Sequence, residues 1–166
     1  GGKCPEGPHM YKINGKYYLM IAEGGTEYGH METIARSDSP WGPFESCPRN
    51  PILSHRDINP RTGIPQGLGH ADLVEDQNGQ WWIVFHGIRP SQFMLHHMGR
   101  ETMIAPVDWD KDGWPVVNGG KPIENPMTVP TPPNYQEMPV DKAWKDCFQG
   151  PELGRRWAYL RNPVLE

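Results

Sequence analysis

Two stretches of this sequence, Gly7–Met20 and Gly69–Val84, repeat one pattern, and that repeat limits the fold more than any other feature. Each reads as a short strand, an Asn-Gly pair (Asn14-Gly15, Asn78-Gly79) and a second strand that opens on aromatic residues. Asn-Gly favours the positive backbone angles of a type I′ turn, so each stretch predicts a β-hairpin. A second echo follows each hairpin. Glu32–Arg36 leads to Trp41-Gly42-Pro43-Phe44, and Glu101–Ala105 leads to Asp112-Gly113-Trp114-Pro115. The offset of about 64 to 69 residues holds four antiparallel strands and one long loop. The expected fold is all-β, with two four-stranded sheets near residues 7–47 and 69–118. The competing reading, two unrelated hairpins with common turn chemistry, needs four matched features to arise independently in one order.

Composition agrees with strands and excludes several function classes. Nineteen glycines and 19 prolines argue against long helices, because proline cannot donate in a ladder and glycine loosens a helix. Seven tryptophans and six tyrosines suit half-buried pleated surfaces and the faces of sugar rings. A net charge of -4 gives no basis for a nucleic-acid or acidic-membrane partner. No apolar run approaches the roughly 20 residues that span a bilayer. Cys4, Cys47 and Cys147 are irregularly spaced, neither a disulfide framework nor a zinc pattern, and read as ordinary thiols. The compartment stays open.

Residues 48–68 carry prolines and few periodic apolar positions, so a loop is expected there between the sheets. Residues 119–139 are proline-rich and begin with Gly119-Gly120, which predicts a linker. Beyond it Trp144, Phe148, Leu153, Trp157 and Leu160 resume an apolar pattern over residues 140–166, a segment too short for its own core. It is expected to be poorly held or draped on the first domain.

Four short motifs carry the chemistry: Glu6-Gly7-Pro8-His9, Ala22-Glu23-Gly24-Gly25-Thr26, Gly69-His70-Ala71-Asp72 and Gly99-Arg100-Glu101-Thr102. In this order they resemble glycoside hydrolase family 43, mostly β-xylosidases and α-L-arabinofuranosidases on a five-bladed β-propeller. The resemblance runs from about Glu6 to Asn118 and implies a partial propeller of two blades over residues 1–118. Phe148, Leu153, Trp157, Leu160, Arg161 and Pro163 resemble the start of the concanavalin-like β-sandwich appended to some members.

Inverting hydrolysis of a glycosidic bond needs a carboxylic acid for the leaving oxygen and a carboxylate base for water, roughly 6.5–9.5 Å apart. The resemblance makes Glu6 the general acid, set at a strand entrance by Gly7 and Pro8. It places His70 at the propeller axis beneath the sugar, where many members have a calcium ion or its water shell. It also makes Arg100 a fork onto sugar hydroxyls, a role that suits five fixed donors, and puts Thr26 at the sugar. Each has a plainer alternative: a solvated Glu6, a structurally bonded His70, an exposed strand Arg100 and a simple Gly-Gly-Thr turn. His30, Glu32 and Glu101 are less defined. Related sequences have small apolar residues at Met31 and Glu32, and Glu101 is expected to pair with Arg36 or Arg100. His96-His97 is rejected as a metal pair because adjacent strand residues point to opposite faces.

The family's base is an Asp in an early blade, and no Asp here has that setting. The expectation is therefore a fragment of an inverting exo-glycosidase acting on xylo- or arabino-oligosaccharides, inactive alone. It would require no cofactor, a structural calcium at the axis being the one ion implied. Two open blade faces predict self-association, and the oligomeric state is left open. The alternative is a carbohydrate-binding propeller remnant without chemistry.

Overall fold

A computed structural model describes residues 2–91, 95–129, 131, 136, 145–150 and 157. Among the described residues nine strands form two sheets. The first sheet holds β1 (Glu6–Ile13), β2 (Lys16–Glu23), β3 (Met31–Ser37) and the two-residue β4 (Glu45–Ser46), antiparallel and in chain order. A fifth piece, β5 (Leu53–Ser54), pairs with the start of β3. The second sheet holds β6 (Gln66–Glu75), β7 (Trp81–Ile88), β8 (Arg100–Trp109) and β9 (Pro115–Val117), again in chain order. The sequence repeat is thus one meander used twice.

The loop expected over 48–68 is more structured than its prolines suggest. It contains β5, a 3₁₀ turn at Pro60–Thr62 and the first residues of β6. Its apolar Leu53 is buried because it pairs beside Glu32. The two Asn-Gly turns also differ. Asn14 and Gly15 both take positive φ (49° and 81°), as a type I′ turn requires. At the second hairpin only Gly79 does (80°), because Asp76 has taken control of the turn. The Asp76 carboxylate accepts the Asn78 and Gln80 amides at 2.8 and 3.0 Å, and the Asp76 carbonyl accepts from Gly79. Asp110 repeats this device at the β8–β9 turn, with the amides of Asp112 and Trp114 on its carboxylate. An aspartate that binds its own backbone overrides the Asn-Gly preference.

Alternation along the strands builds one core between the sheets. Met20 and Ile34 from the first meet Leu68, Leu73, Ile83, Phe85 and Val107 from the second, all buried. Polar contacts tie the sheets at the turn end. Arg36 lies over the Trp114 ring at 4.1 Å and donates to the Asp112 carbonyl, and Arg49 pairs with Asp110 at 2.7 Å. Buried His55 donates from Nδ1 to the Pro65 carbonyl (2.6 Å) and accepts the Ile123 amide on Nε2 (3.0 Å), which fixes its tautomer. Ile123, in the proline-rich stretch, is thereby packed and buried.

The chain divides into two units, Gly1–Asn134 and Tyr135–Glu166. In the second, Asp146 accepts the Phe148 amide and the Trp157 indole, and the two rings sit 5.2 Å apart. The expectations for Trp144, Leu153, Leu160, Arg161 and Pro163 lie outside the described residues. Cys4, Cys47 and Cys147 are free thiols.

Candidate active site

Both sheets present the same end of their strands to one place. It receives the start of β1 (Glu6), the start of β3 (His30, Glu32), the start of β6 (Gly69, His70), the end of β7 (His86) and the start of β8 (Arg100). Two bulges meet here. The β1–β2 register shifts between Glu6 and His9, and the β6–β7 register, already shifted between Gln66 and Gly69, shifts again between Gly69 and Asp72. A bulge bends its strand and re-aims a side chain. Gly7 and His70, one in each bulge, both take φ of 53°.

The motif glycines make room for imidazoles. A Cβ on Gly7 would lie 3.2 Å from the His70 ring, and one on Gly69 would lie 2.6 Å from the ring of His30. With those Cβ atoms absent, the bulges close on each other. His70 Nδ1 stands 3.6 Å from the Glu6 carboxylate, an ion-pair distance too long for a hydrogen bond. Both side chains remain nearly half exposed, at 47% and 44%.

Behind them lies a buried polar cluster centred on His86, which the sequence reasoning missed. Its ring stacks on His30 at 4.8 Å and on His70 at 6.0 Å. Burial, then the charges of His30 and Arg100, push its pKa down to about 4, while Glu6 opposes the shift. His86 therefore joins Arg100, His70 and Glu6 in one electrostatic group. A histidine directly after the apolar run Trp81–Phe85 was the available signal. Fully buried His30 holds the Gly67 carbonyl through Nδ1 at 3.0 Å. Glu32 is also fully buried, and its Oε2 accepts the Ala71 amide at 3.2 Å. Burial raises its pKa to about 8, so it is largely a neutral acid at pH 7. Its Oε1, the His30 Nε2 and both His86 ring nitrogens have no hydrogen-bond partner among the described residues.

Arg100 is exposed and has no ion pair among the described residues. Glu101 does not join it. The carboxylate is held by Arg89 through two hydrogen bonds of 2.6 and 2.5 Å, since pairing with β7 sets Glu101 opposite Gly87 near Arg89. Arg36, the other expected partner, faces Glu45 across β3–β4 and binds it. Thr26 lines an adjoining cleft of about 130 Å³ with Tyr28, Gln66, Gly67, Ile88 and His96. Glu6 is not among its walls. His96 and His97 lie in a turn rather than a strand, so strand alternation is not what separates them. Asp72, the carboxylate beside His70 in sequence, is engaged by His9 at 3.0 Å and by the Tyr11 hydroxyl at 3.3 Å.

Calcium takes roughly six to eight oxygen ligands. The side chains gathered here are imidazoles, one exposed carboxylate, one buried carboxyl and a guanidinium, and among the described residues no group of three His, Cys, Asp or Glu side chains is arranged to hold a metal ion. This chain's own residues do not fit a calcium cage.

The sequence profile of glycosyl hydrolases family 43 matches residues 1–115. The chain is 48% identical to the non-reducing end α-L-arabinofuranosidase BoGH43B of Bacteroides ovatus, over 99% of its own length and 30% of that protein. It is 40% identical to a β-xylosidase of Bacillus subtilis, over 97% of its length and 31% of that protein. Among solved structures it superposes on Bacteroides ovatus xyloglucan PUL GH43B with a TM-score of 0.83 at 48% identity, covering 99% of this chain and 32% of that one. Xylan β-1,4-xylosidase from Bacillus halodurans C-125 gives 0.79 at 40% identity, covering 93% and 29%. The chain thus spans about 30% of the length of these curated relatives. Its two sheets are blades of the five-bladed propeller found in these neighbours. On its matched profile and this shared fold, the chain belongs to glycosyl hydrolases family 43.

Proposed function

We propose that this chain is the acid-bearing part of an inverting exo-glycosidase that releases terminal arabinose or xylose from plant oligosaccharides. The observation that carries the reading is the meeting of two bulges that sets His70 Nδ1 3.6 Å from the Glu6 carboxyl at a solvent-open mouth. Glu6 donates its proton to the glycosidic oxygen as the bond to the anomeric carbon breaks. His70 stands beside that carboxyl and limits its orientations. Arg100, on the next strand, offers paired donors to sugar hydroxyls. Thr26 walls the adjoining cleft. The carboxylate that activates water comes from the larger part of such an enzyme that this chain does not span. The sugar classes come from the relatives, an arabinofuranosidase and a β-xylosidase.

The test is hydrolysis of nitrophenyl β-xyloside, nitrophenyl α-L-arabinofuranoside and the matching disaccharides by the protein encoded by the complete reading frame. Wild type should cleave at least one sugar type. Glu6→Gln should lose about 10²–10⁴-fold on the disaccharide, the usual contribution of a general acid. A folded protein that binds these sugars and cleaves none would shift the reading to a carbohydrate-binding propeller.

A further inference from the structure

We propose that Glu32 is a positioning residue: its carboxyl reaches from β3 of one blade into the β6 bulge of the other, fixes the backbone at Ala71 and so sets His70 against Glu6. This rests on the glycosidase reading and extends it to a residue outside the four motifs.

The bulge between Gly69 and Asp72 leaves Ala71 without a partner in the β6–β7 register, away from the regular ladder acceptors. Ala71 is fully buried, and water does not replace the lost acceptor. An unpartnered buried amide is costly, and Glu32 Oε2 meets this one at 3.2 Å. The neighbouring His70 amide acts on the same carboxyl electrostatically, favouring its charged form. His70 has φ of 53°, a conformation that surroundings impose on a non-glycine residue. The clasp is itself held. Glu32 is paired with Ala22 on one side and Leu53 on the other, and its carbonyl accepts the Ile52 amide at 2.9 Å. Packing alone does not account for a carboxyl here, since one oxygen is buried without a partner among the described residues and an apolar side chain would fill the space without that cost.

The experiment uses the protein from the complete reading frame, with Glu32→Leu and Glu32→Gln. It compares a natural disaccharide, whose leaving group needs the acid, with the 2,4-dinitrophenyl glycoside, whose leaving group does not. Glu32→Leu should lose about tenfold or more in kcat/KM on the disaccharide and less than about threefold on the activated substrate. Glu32→Gln keeps an acceptor for Ala71 and should recover most of the disaccharide activity. Equal losses on both substrates, or no loss in Glu32→Leu, would overturn the proposal. A second measurement needs no variant. In wild type the Ala71 amide should resist hydrogen exchange as strongly as the ladder amide of Ala105, and fast exchange would overturn the clasp. A wild type that cleaves neither substrate removes the glycosidase reading by itself, and Ala71 exchange then decides whether the clasp exists.

Discussion

The Tyr18 hydroxyl donates to the Gly113 carbonyl at 2.6 Å, joining the middle strand of the first blade to a turn of the second. Tyr18 lies directly across from Arg36 in the β2–β3 register, and Arg36 grips the same turn through Asp112 and Trp114. The blades are therefore fastened at the end opposite the candidate site by two neighbouring side chains acting on one short segment.

Tyr18→Phe should cost about 0.5–1.5 kcal/mol, the net value of one hydrogen bond. Because Tyr18 and Arg36 share a target, Tyr18→Phe combined with Arg36→Met should be non-additive by about 0.5 kcal/mol or more in a urea double-mutant cycle. Additivity within error would mean that each holds the turn independently.

The stability of the fold should depend on pH in a way that three desolvated groups dictate. Folded Glu32 keeps its proton up to about pH 8, while the unfolded carboxyl releases it near 4.5. The folded state binds more protons in that window, so this contribution falls as pH rises through it. His86 has the opposite sign: its folded pKa of about 4 lies below the ordinary 6.5, so stability rises between them. His55, also lowered by burial, adds to that rise. Below pH 6.5 the slopes oppose, and between 6.5 and 8 Glu32 acts alone. The urea midpoint should decline over that upper interval in wild type and stay level in Glu32→Gln. A wild-type midpoint that climbs there contradicts the buried acid.

Gly69→Ala tests the fit of the site directly. The new methyl would meet three atoms of the His30 ring at 2.6–2.8 Å, and that ring is held by the Gly67 carbonyl and the His86 stack. A loss of about 1–3 kcal/mol is expected, as for other overpacked cores. Gly15→Ala is the contrast. It has open space but φ of 81°, so it reports backbone strain of about 1 kcal/mol alone. Adding His30→Ala should recover part of the Gly69→Ala loss and none of the Gly15→Ala loss, read from the same denaturation curves.

Much of this architecture was legible because strands announce themselves locally. The alternation in Lys16–Glu23 and Trp81–Ile88, with turns at Asn14-Gly15 and Asp110–Trp114, is short-range information. Glu6, His70 and Arg100 were singled out through their motifs, and the fold brings Glu6 beside His70. What escaped depends on pairing between blades. Nothing near Glu32 in sequence shows that a bulge on β6 lacks an acceptor, and nothing near Glu101 shows that Arg89 lies diagonal to it. His86 was missed because one histidine in an apolar strand resembles any other until its neighbours are known. The type I′ expectation at Asn78-Gly79 failed for a local reason: the Asp76 carboxylate competes for the turn amides.

The two motif glycines have a consequence for how such sequences diverge. Gly7 is shaped by a ring on the second blade, and Gly69 by a ring on the first, so each records the outline of a residue some 40 to 60 positions away in the chain. A substitution at Gly69 is then admissible only in company with His30, whereas Gly7 is held by its φ of 53° as well as by the His70 ring. Grafting one motif onto another propeller would transplant half of a mould. Redesign of this mouth has to treat Gly7 with His70, and Gly69 with His30, as single units of change.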